Sequence, residues 1–144
     1  METKKTGEVN RQEIVVGYDG STEAKAALRW AVRYAAGCGS DLRLVTAWQW
    51  PQIAAGMPAL AFECHPELEA KRVAQDALTA VRLPGSQVCV DIPNGDAGVE
   101  LVRLSKDAAL LVVGSRGHAL LASALLGSVS TYCAHHSAVP VAVV

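Results

Sequence analysis

The chain has 144 residues, of which 51% are hydrophobic and 19% charged. That length predicts one domain, since domains run to roughly 100 to 200 residues, and burial of about two thirds of the unfolded surface supplies a core without covalent staples. The composition excludes an intrinsically disordered chain. Thirteen Lys and Arg against fourteen Asp and Glu, a net charge of −1, are too balanced for a polyanion to be the main partner, so no nucleic acid is expected.

The first twelve residues, METKKTGEVNRQ, are polar and lack the apolar stretch of a secretory signal; they read as a loose tail over 1–12 ahead of a domain spanning 13–144. No later apolar run reaches eighteen residues, so no membrane span is expected. Cys38, Cys64, Cys89 and Cys133 form no CxxC pair, and a chain of this size needs no disulfide framework, which points to a reducing cytoplasm. Cys64, His65, Cys133, His135 and His136 match none of the usual zinc-ligand spacings, and no metal site is expected from them.

In chain order, IVVGYD (Ile14 to Asp19) is a short β-branched run that stops at Gly20-Ser21, the pattern of a buried strand and a turn. Ser21 is a plausible N-cap for a helix carrying Ala24, Ala27, Leu28, Ala31, Val32 and Ala35 on one face until Gly37 and Gly39. LRLVTAWQW (Leu42 to Trp50) reads as a second strand closed by Pro51. Pro66 starts a second helix, with Ala70, Val73, Ala74, Ala77, Leu78 and Val81 on one face, and Pro84-Gly85 stops it. SQVCVDI alternates like a third strand, Asp96 caps a short helix containing Val99, Leu101, Val102 and Leu104, and ALLVVG (Ala109 to Gly114) is the most apolar strand. A last helix opens at Gly127-Ser128-Val129-Ser130, and VPVAVV (Val139 to Val144) closes the chain. Five strands and four helices in alternation predict a single doubly wound α/β domain, its parallel sheet covered by helices on both faces. The one long irregular stretch, Pro51 to His65, is apolar; it reads equally as a ligand or subunit cover and as an excursion packed on itself.

In an open α/β sheet the ligand lies beyond the carboxyl ends of the strands, where the strand order reverses. With the order 3-2-1-4-5, the loops after strands one and four face each other there. The first is Gly17-Tyr18-Asp19-Gly20-Ser21 and the second Gly114-Ser115-Arg116-Gly117; nine residues later comes Gly127-Ser128. Glycines let a backbone approach an anion closely. Ser128, Val129 and Ser130 at a helix start offer amides, hydroxyls and the positive end of the helix dipole. A phosphate chain fits that chemistry.

The IVVGYDGS opening, the G-x2-G-x9-G-S spacing, the VVGSRG strand end and the terminal VPVAVV resemble the universal stress protein family, over residues 13 to 144. The resemblance implies adenine-nucleotide binding. By it Gly114, Arg116 and Gly117 wrap the ribose and phosphate chain, and Gly127, Ser128, Val129 and Ser130 hold the phosphates. Asp19 accepts from the ribose hydroxyls or places a metal-bound phosphate, its alternative being a cap on the following helix. Backbone groups near Gly17 and Ala47 would read the adenine edge. It further implies ATP, with or without Mg²⁺, or cyclic AMP as ligand, and a homodimer through Val139 to Val144.

The family commonly has an aliphatic or histidine-rich second strand, whereas Trp48 and Trp50 here share one face, either stacked on a base or packed in the core or an interface. His118 reads as a solvent-facing loop histidine. The chain lacks both G-x-G-x-x-G after a strand and GxxxxGK[ST], which excludes a dinucleotide-binding unit and a P-loop NTPase. Lys25, Arg29 and Arg33 form a basic stripe on helix one, either solvated or facing an acidic partner. No general base for hydrolysis can be named, so binding with at most slow turnover is expected of a stress-response sensor or regulator. The alternative class is a nucleotide-independent interaction module.

Overall fold

In the computed structural model, residues 12–51, 65–117 and 126–144 are described. Strand and helix alternate as β1 (Glu13–Gly17), α1 (Thr22–Cys38), β2 (Asp41–Val45), α2 (Pro66–Ala80), β3 (Val88–Asp91), α3 (Ala97–Leu104), β4 (Leu110–Val113), α4 (Ser128–His136) and β5 (Val141–Val143). Every strand pair is parallel, and the order is β3-β2-β1-β4-β5. This is the doubly wound sheet expected from the sequence. Except for Gln12, the expected tail lies outside the described residues, as do residues 52–64 of the long apolar stretch.

The period-two geometry of a strand sorts the apolar residues between two layers. Ile14, Val16, Leu42, Leu44 and Val112 pack under α1 and α2, while Val15, Val45, Leu111 and Val113 pack with Leu101 of α3 and Cys133 of α4. Strands buried on both faces read as continuous apolar runs, which is why β1 and β4 stand out in the sequence. Ala24, Ala27, Ala31 and Ala35 form most of the buried stripe of α1 and let its backbone lie close to the sheet. Helix ends follow the local chemistry: Ser21 Oγ accepts from the Ala24 amide at 3.1 Å, and Gly39 ends α1 in the left-handed conformation at φ 66°. Asp96 likewise caps α3, accepting from the Val99 amide at 3.1 Å, and Pro66 opens α2.

The second strand is shorter than the expected Leu42 to Trp50, and a proline accounts for it. The Thr46 amide donates to Asp91 O at 3.0 Å, the Trp48 amide to Pro93 O at 3.0 Å and the Gly95 amide to Trp48 O at 2.8 Å. The alternation of those bonds puts residue 93 where an N–H would donate to Thr46 O, and Pro93 has none. Regular pairing stops at Val45, leaving Trp48 and Asn94 as an isolated bridge. The last strand shrinks from Val139–Val144 to Val141–Val143: at its start Pro140 accepts from the Leu111 amide but cannot donate, while at its end Val144 still donates to Val113 O at 3.0 Å. The third and fourth strands also lose their expected end residues.

The α3–α4 layer packs on β1, β4 and β5. On the same side of the sheet, beyond that layer, Arg43 of β2 bonds Glu13 at 2.9 Å and Asp91 at 2.7 Å, a cation of the central strands held between two carboxylates. Thr46, at 4% exposure, is the one described residue with a fully buried side-chain polar atom lacking a hydrogen-bond partner. An unsatisfied hydroxyl in such a place costs roughly 1–3 kcal/mol. Thr46→Val keeps the shape and removes the orphan. It is expected to raise stability by about 1 kcal/mol, read in urea denaturation as a higher midpoint at unchanged slope; a lower midpoint would show that the hydroxyl has a partner.

Candidate functional site

The carboxyl ends of β1, β2 and β4 open onto a crevice of about 210 Å³ at the point where the strand order reverses. All ten residues expected at a ligand site line it: Gly17 and Asp19 after β1, Ala47 after β2, Gly114, Arg116 and Gly117 after β4, and Gly127, Ser128, Val129 and Ser130 at the start of α4. Sequence separations of about a hundred residues are closed by the parallel register, which sets Val16 of β1 against Val112 of β4.

Close approach, and not unusual dihedrals, explains the glycines of the motif. Positive φ occurs only at Gly20, Gly39 and Gly85 among the described residues. A Cβ on Gly114 would sit 2.9 Å from the Glu23 carbonyl carbon and 3.0 Å from the Ala24 amide nitrogen, so the first turn of α1 rests directly on this residue. A Cβ on Gly127 would stand 3.2 Å from Arg116 Cα, and one on Gly117 2.8 Å from Asp19 Oδ2. Gly17 makes room for Leu101, whose Cδ1 would lie 2.8 Å from an added Cβ. Each glycine brings two segments of the crevice wall into contact.

The backbone of Ser115 joins those segments. Its amide donates to Val144 O at 2.7 Å, and its carbonyl accepts from the Gly127 amide at 2.7 Å and from Ser130 Oγ at 3.1 Å. Ser130 is 1% exposed and its hydroxyl also reaches Gly127 O at 3.1 Å. That hydroxyl is therefore committed to holding the loop, and Ser130 has its amide to offer a ligand. Gly127 caps α4 without a side chain, in contrast to Ser21 and Asp96, so no side chain covers the amides of the first turn of α4.

Among the described residues Asp19 is the only carboxylate lining the crevice and Arg116 the only cation. Asp19 Oδ1 accepts from the Ser21 amide at 2.9 Å, fixing the turn into α1, while its Oδ2 lies on the Gly117 side. Both readings of this residue have a basis: it shapes the helix start and faces the crevice. Arg116 is exposed and makes no ion pair among the described residues.

Part of the wall was not foreseen. Ala97 and Leu101 of α3, with Val45, Val113 and Ala24, give the crevice an apolar side. Their signal is the i, i+4 pair on α3 opposite Gly17, legible only once Gly17 is known to face that helix. Trp48, expected near the site, lines an adjoining depression that shares Asp19 and Ala47 with the crevice and runs on past Thr46 to His65 and Pro66 on the α2 side of the sheet. It meets Trp50 edge-to-face at 6.2 Å, and Trp50 is 60% exposed. His118 lies outside the described residues, as does Cys64. Cys133 is buried in the core, its thiol pushed up to about 11 by burial and then by the charge of Asp96, whereas His135 and His136 are exposed on the other side of α4.

The profile of the Universal stress protein family matches residues 10–144. The chain belongs to the universal stress protein family. This universal stress protein chain is 37% identical over 139 residues to Universal stress protein Rv2624c of Mycobacterium tuberculosis, covering 95% of the chain and 49% of that protein. It spans about half the length of the curated relatives it matches. Among solved structures it resembles universal stress protein UspA from Lactobacillus plantarum in fold, at TM-score 0.75 and 23% identity over 95% of this chain and 99% of that one. A universal stress protein solved in complex with cAMP matches at TM-score 0.65 and 30% identity, over 92% of this chain and 96% of that one. No helix among the described residues of this universal stress protein is long and apolar enough to cross a membrane.

Gly114 tests the close-approach reading in this family member directly. Because its added Cβ would strike backbone, not a movable side-chain end, Gly114→Ala is expected to cost roughly 1–3 kcal/mol, read as a fall of several degrees in the thermal midpoint. Gly37→Ala meets nothing within 4 Å and is expected to leave stability unchanged or slightly raised. Equal midpoints for the two variants would refute the contact.

Proposed function

We propose that the chain is an adenine-nucleotide-binding universal stress protein of the ATP-motif class, a cytoplasmic sensor or regulator whose working ligand is ATP. The observation that carries this reading is the convergence of uncapped α4 amides, the Gly114–Gly117 loop and the Asp19 carboxylate on one crevice with an apolar side. Backbone amides and a helix N-terminus suit phosphate oxygens. The wall of Ala97, Leu101 and Val45 suits the flat face of a base, and the backbone at Gly17 and Ala47 its polar edge. Asp19 with nucleotide phosphates suits Mg²⁺, which typically takes one or two carboxylates and phosphate oxygens. Arg116, without an ion pair among the described residues, suits the phosphate chain.

The same crevice argues for slow turnover at most. Its single carboxylate has one oxygen occupied by the Ser21 amide, and no His, Glu or Lys lines it, so no described group is placed to activate water. A cyclic AMP ligand is the second reading, favoured by the 30% identical relative whose structure is of a cAMP complex. The homodimer belongs to the same proposal: β5 pairs only with β4, and Val143 is 38% exposed at that edge, an apolar strand edge that a second copy would cover.

Native mass spectrometry of the freshly purified protein, with and without ATP, is expected to show a dimer carrying one nucleotide mass per subunit. Gly127→Val, which crowds Arg116 Cα, is expected to weaken binding at least about tenfold, ~1.4 kcal/mol, with the circular dichroism spectrum retained. Displacement of bound ATP by an equal concentration of cyclic AMP would favour the second reading. A protein that stays bare at millimolar ATP and cyclic AMP would overturn both in favour of an interaction module.

A further inference from the structure

A second concavity lies on the opposite face of the sheet, between α1 and α2, with a volume of about 570 Å³. One wall carries Lys25, Arg29 and Arg33 of α1, and the floor is apolar, from Leu28 and Val32 of α1 to Ala77 and Val81 beside them. The charge pattern singles out α1. On α2, Lys71 holds Glu67 at 2.7 Å and Arg72 holds both Glu69 and Asp76; on α3, Arg103 holds Glu100. None of the three cations of α1 has an ion pair among the described residues, and α1 contains a single acidic residue, Glu23. Like charges at i, i+4 and i+8 disfavour an isolated helix, and in a chain of net charge −1 their clustering is not a by-product of general basicity.

Tyr18 adds an independent observation. Its ring belongs to the core beneath α1 and α2 and is 8% exposed, and it lines the groove. Its hydroxyl has no hydrogen-bond partner among the described residues. Burial, then the charges of Asp19 and Asp76, push the phenol above its ordinary value, so at neutral pH it stays protonated and can donate to a group in the groove. Asp76, on the facing wall, is already compensated by Arg72 at 3.2 Å.

We propose that the groove between α1 and α2 is a docking site for an acidic amphipathic helix of a partner protein. The repetition decides between ligand types. Cations at i, i+4 and i+8 recur every 6 Å over about 12 Å of α1. A single-headed anion would engage one of them, whereas a helix with carboxylates at the same spacing engages all three while its apolar face meets the part-exposed Val32, Ala80 and Val81. Small residues on the α2 side, Ala77 and Ala80, allow close seating of a third helix. The proposal does not depend on a nucleotide in the crevice.

The test is fluorescence anisotropy with a labelled synthetic helix bearing Glu at i, i+4 and i+8 and Leu on the adjoining face, without nucleotide. The patterned peptide is expected to bind, more weakly as salt rises, and a peptide of the same composition in scrambled order is expected not to. Arg29→Glu alters an exposed side chain and turns two like-charge i, i+4 pairs into opposite-charge ones, so its melting curve should match or slightly exceed the parent's while its affinity falls tenfold or more. Ala80→Trp leaves the three cations in place and fills the apolar side; a several-fold loss there separates seating in the groove from charge attraction alone. Equal binding of the two peptides, or unaltered affinity in Arg29→Glu, would overturn the proposal. So would retention of the protein by anionic phospholipid vesicles together with failure to bind the patterned peptide, which would assign the stripe to a membrane surface.

Discussion

The crevice depends on one peptide unit. Ser115 gives its amide to the last residue of the chain and its carbonyl to the residue that opens α4, so the end of β5, the loop after β4 and the start of α4 meet at a single point. Ser130 strengthens the joint by turning its hydroxyl inward to the same carbonyl. Backbone hydrogen bonds of this kind are directional and require their partners to approach within about 3 Å. The three segments must therefore run close together, and that closeness forces glycine at 127, where an added Cβ would crowd Arg116 Cα and Ser115 O; glycine at 114 is forced separately, by the first turn of α1 resting on it. The spacing of glycines in the sequence is the trace of these contacts.

That dependence explains which parts of the structure were legible in advance. The strands and helices were readable because their burial is nearly binary: β1 and β4 are sealed on both faces, and α1 carries an alanine stripe on one side. The ten crevice residues were readable because an α/β sheet puts the ends of β1 and β4 side by side, which turns two distant loops into one place. What escaped was set by single atoms. Whether β2 continued to Trp50 turned on one missing N–H, that of Pro93 across the ladder. Whether Ser130 had a hydroxyl to offer turned on which way it faced, and the commonest role of a serine in a first helical turn gives no hint of a carbonyl fifteen residues upstream. The apolar wall from α3 was hidden in plain periodicity, since Ala97 and Leu101 look like any core pair until Gly17 is seen opposite them.

Chemically the crevice is built to hold charge more than to move it. Amides at a helix start are fixed dipoles that need no reorganisation when an anion arrives, and they act as neither acid nor base at neutral pH. The described lining has one carboxylate and one guanidinium, and the carboxylate is tied on one oxygen to the turn that begins α1. Such a lining discriminates by shape and charge.

The two faces of the sheet divide the labour. The α3–α4 side carries the crevice and places its glycines where segments must touch; the α1–α2 side carries the groove and three cations that have no ion pair among the described residues. They adjoin at Tyr18, which lines both: its amide is bound to Val45 O at 2.9 Å, while its ring packs beneath α1 and α2. Next to it, Gly20 at φ 82° and the Asp19 to Ser21 bond set the angle at which α1 leaves the sheet. Asp19 faces the crevice, and α1 carries the basic stripe. Any change in the Asp19 turn therefore acts on the helix that forms one wall of the groove, and that helix touches both concavities directly, with Ala24 lining the crevice and Lys25 beside it lining the groove.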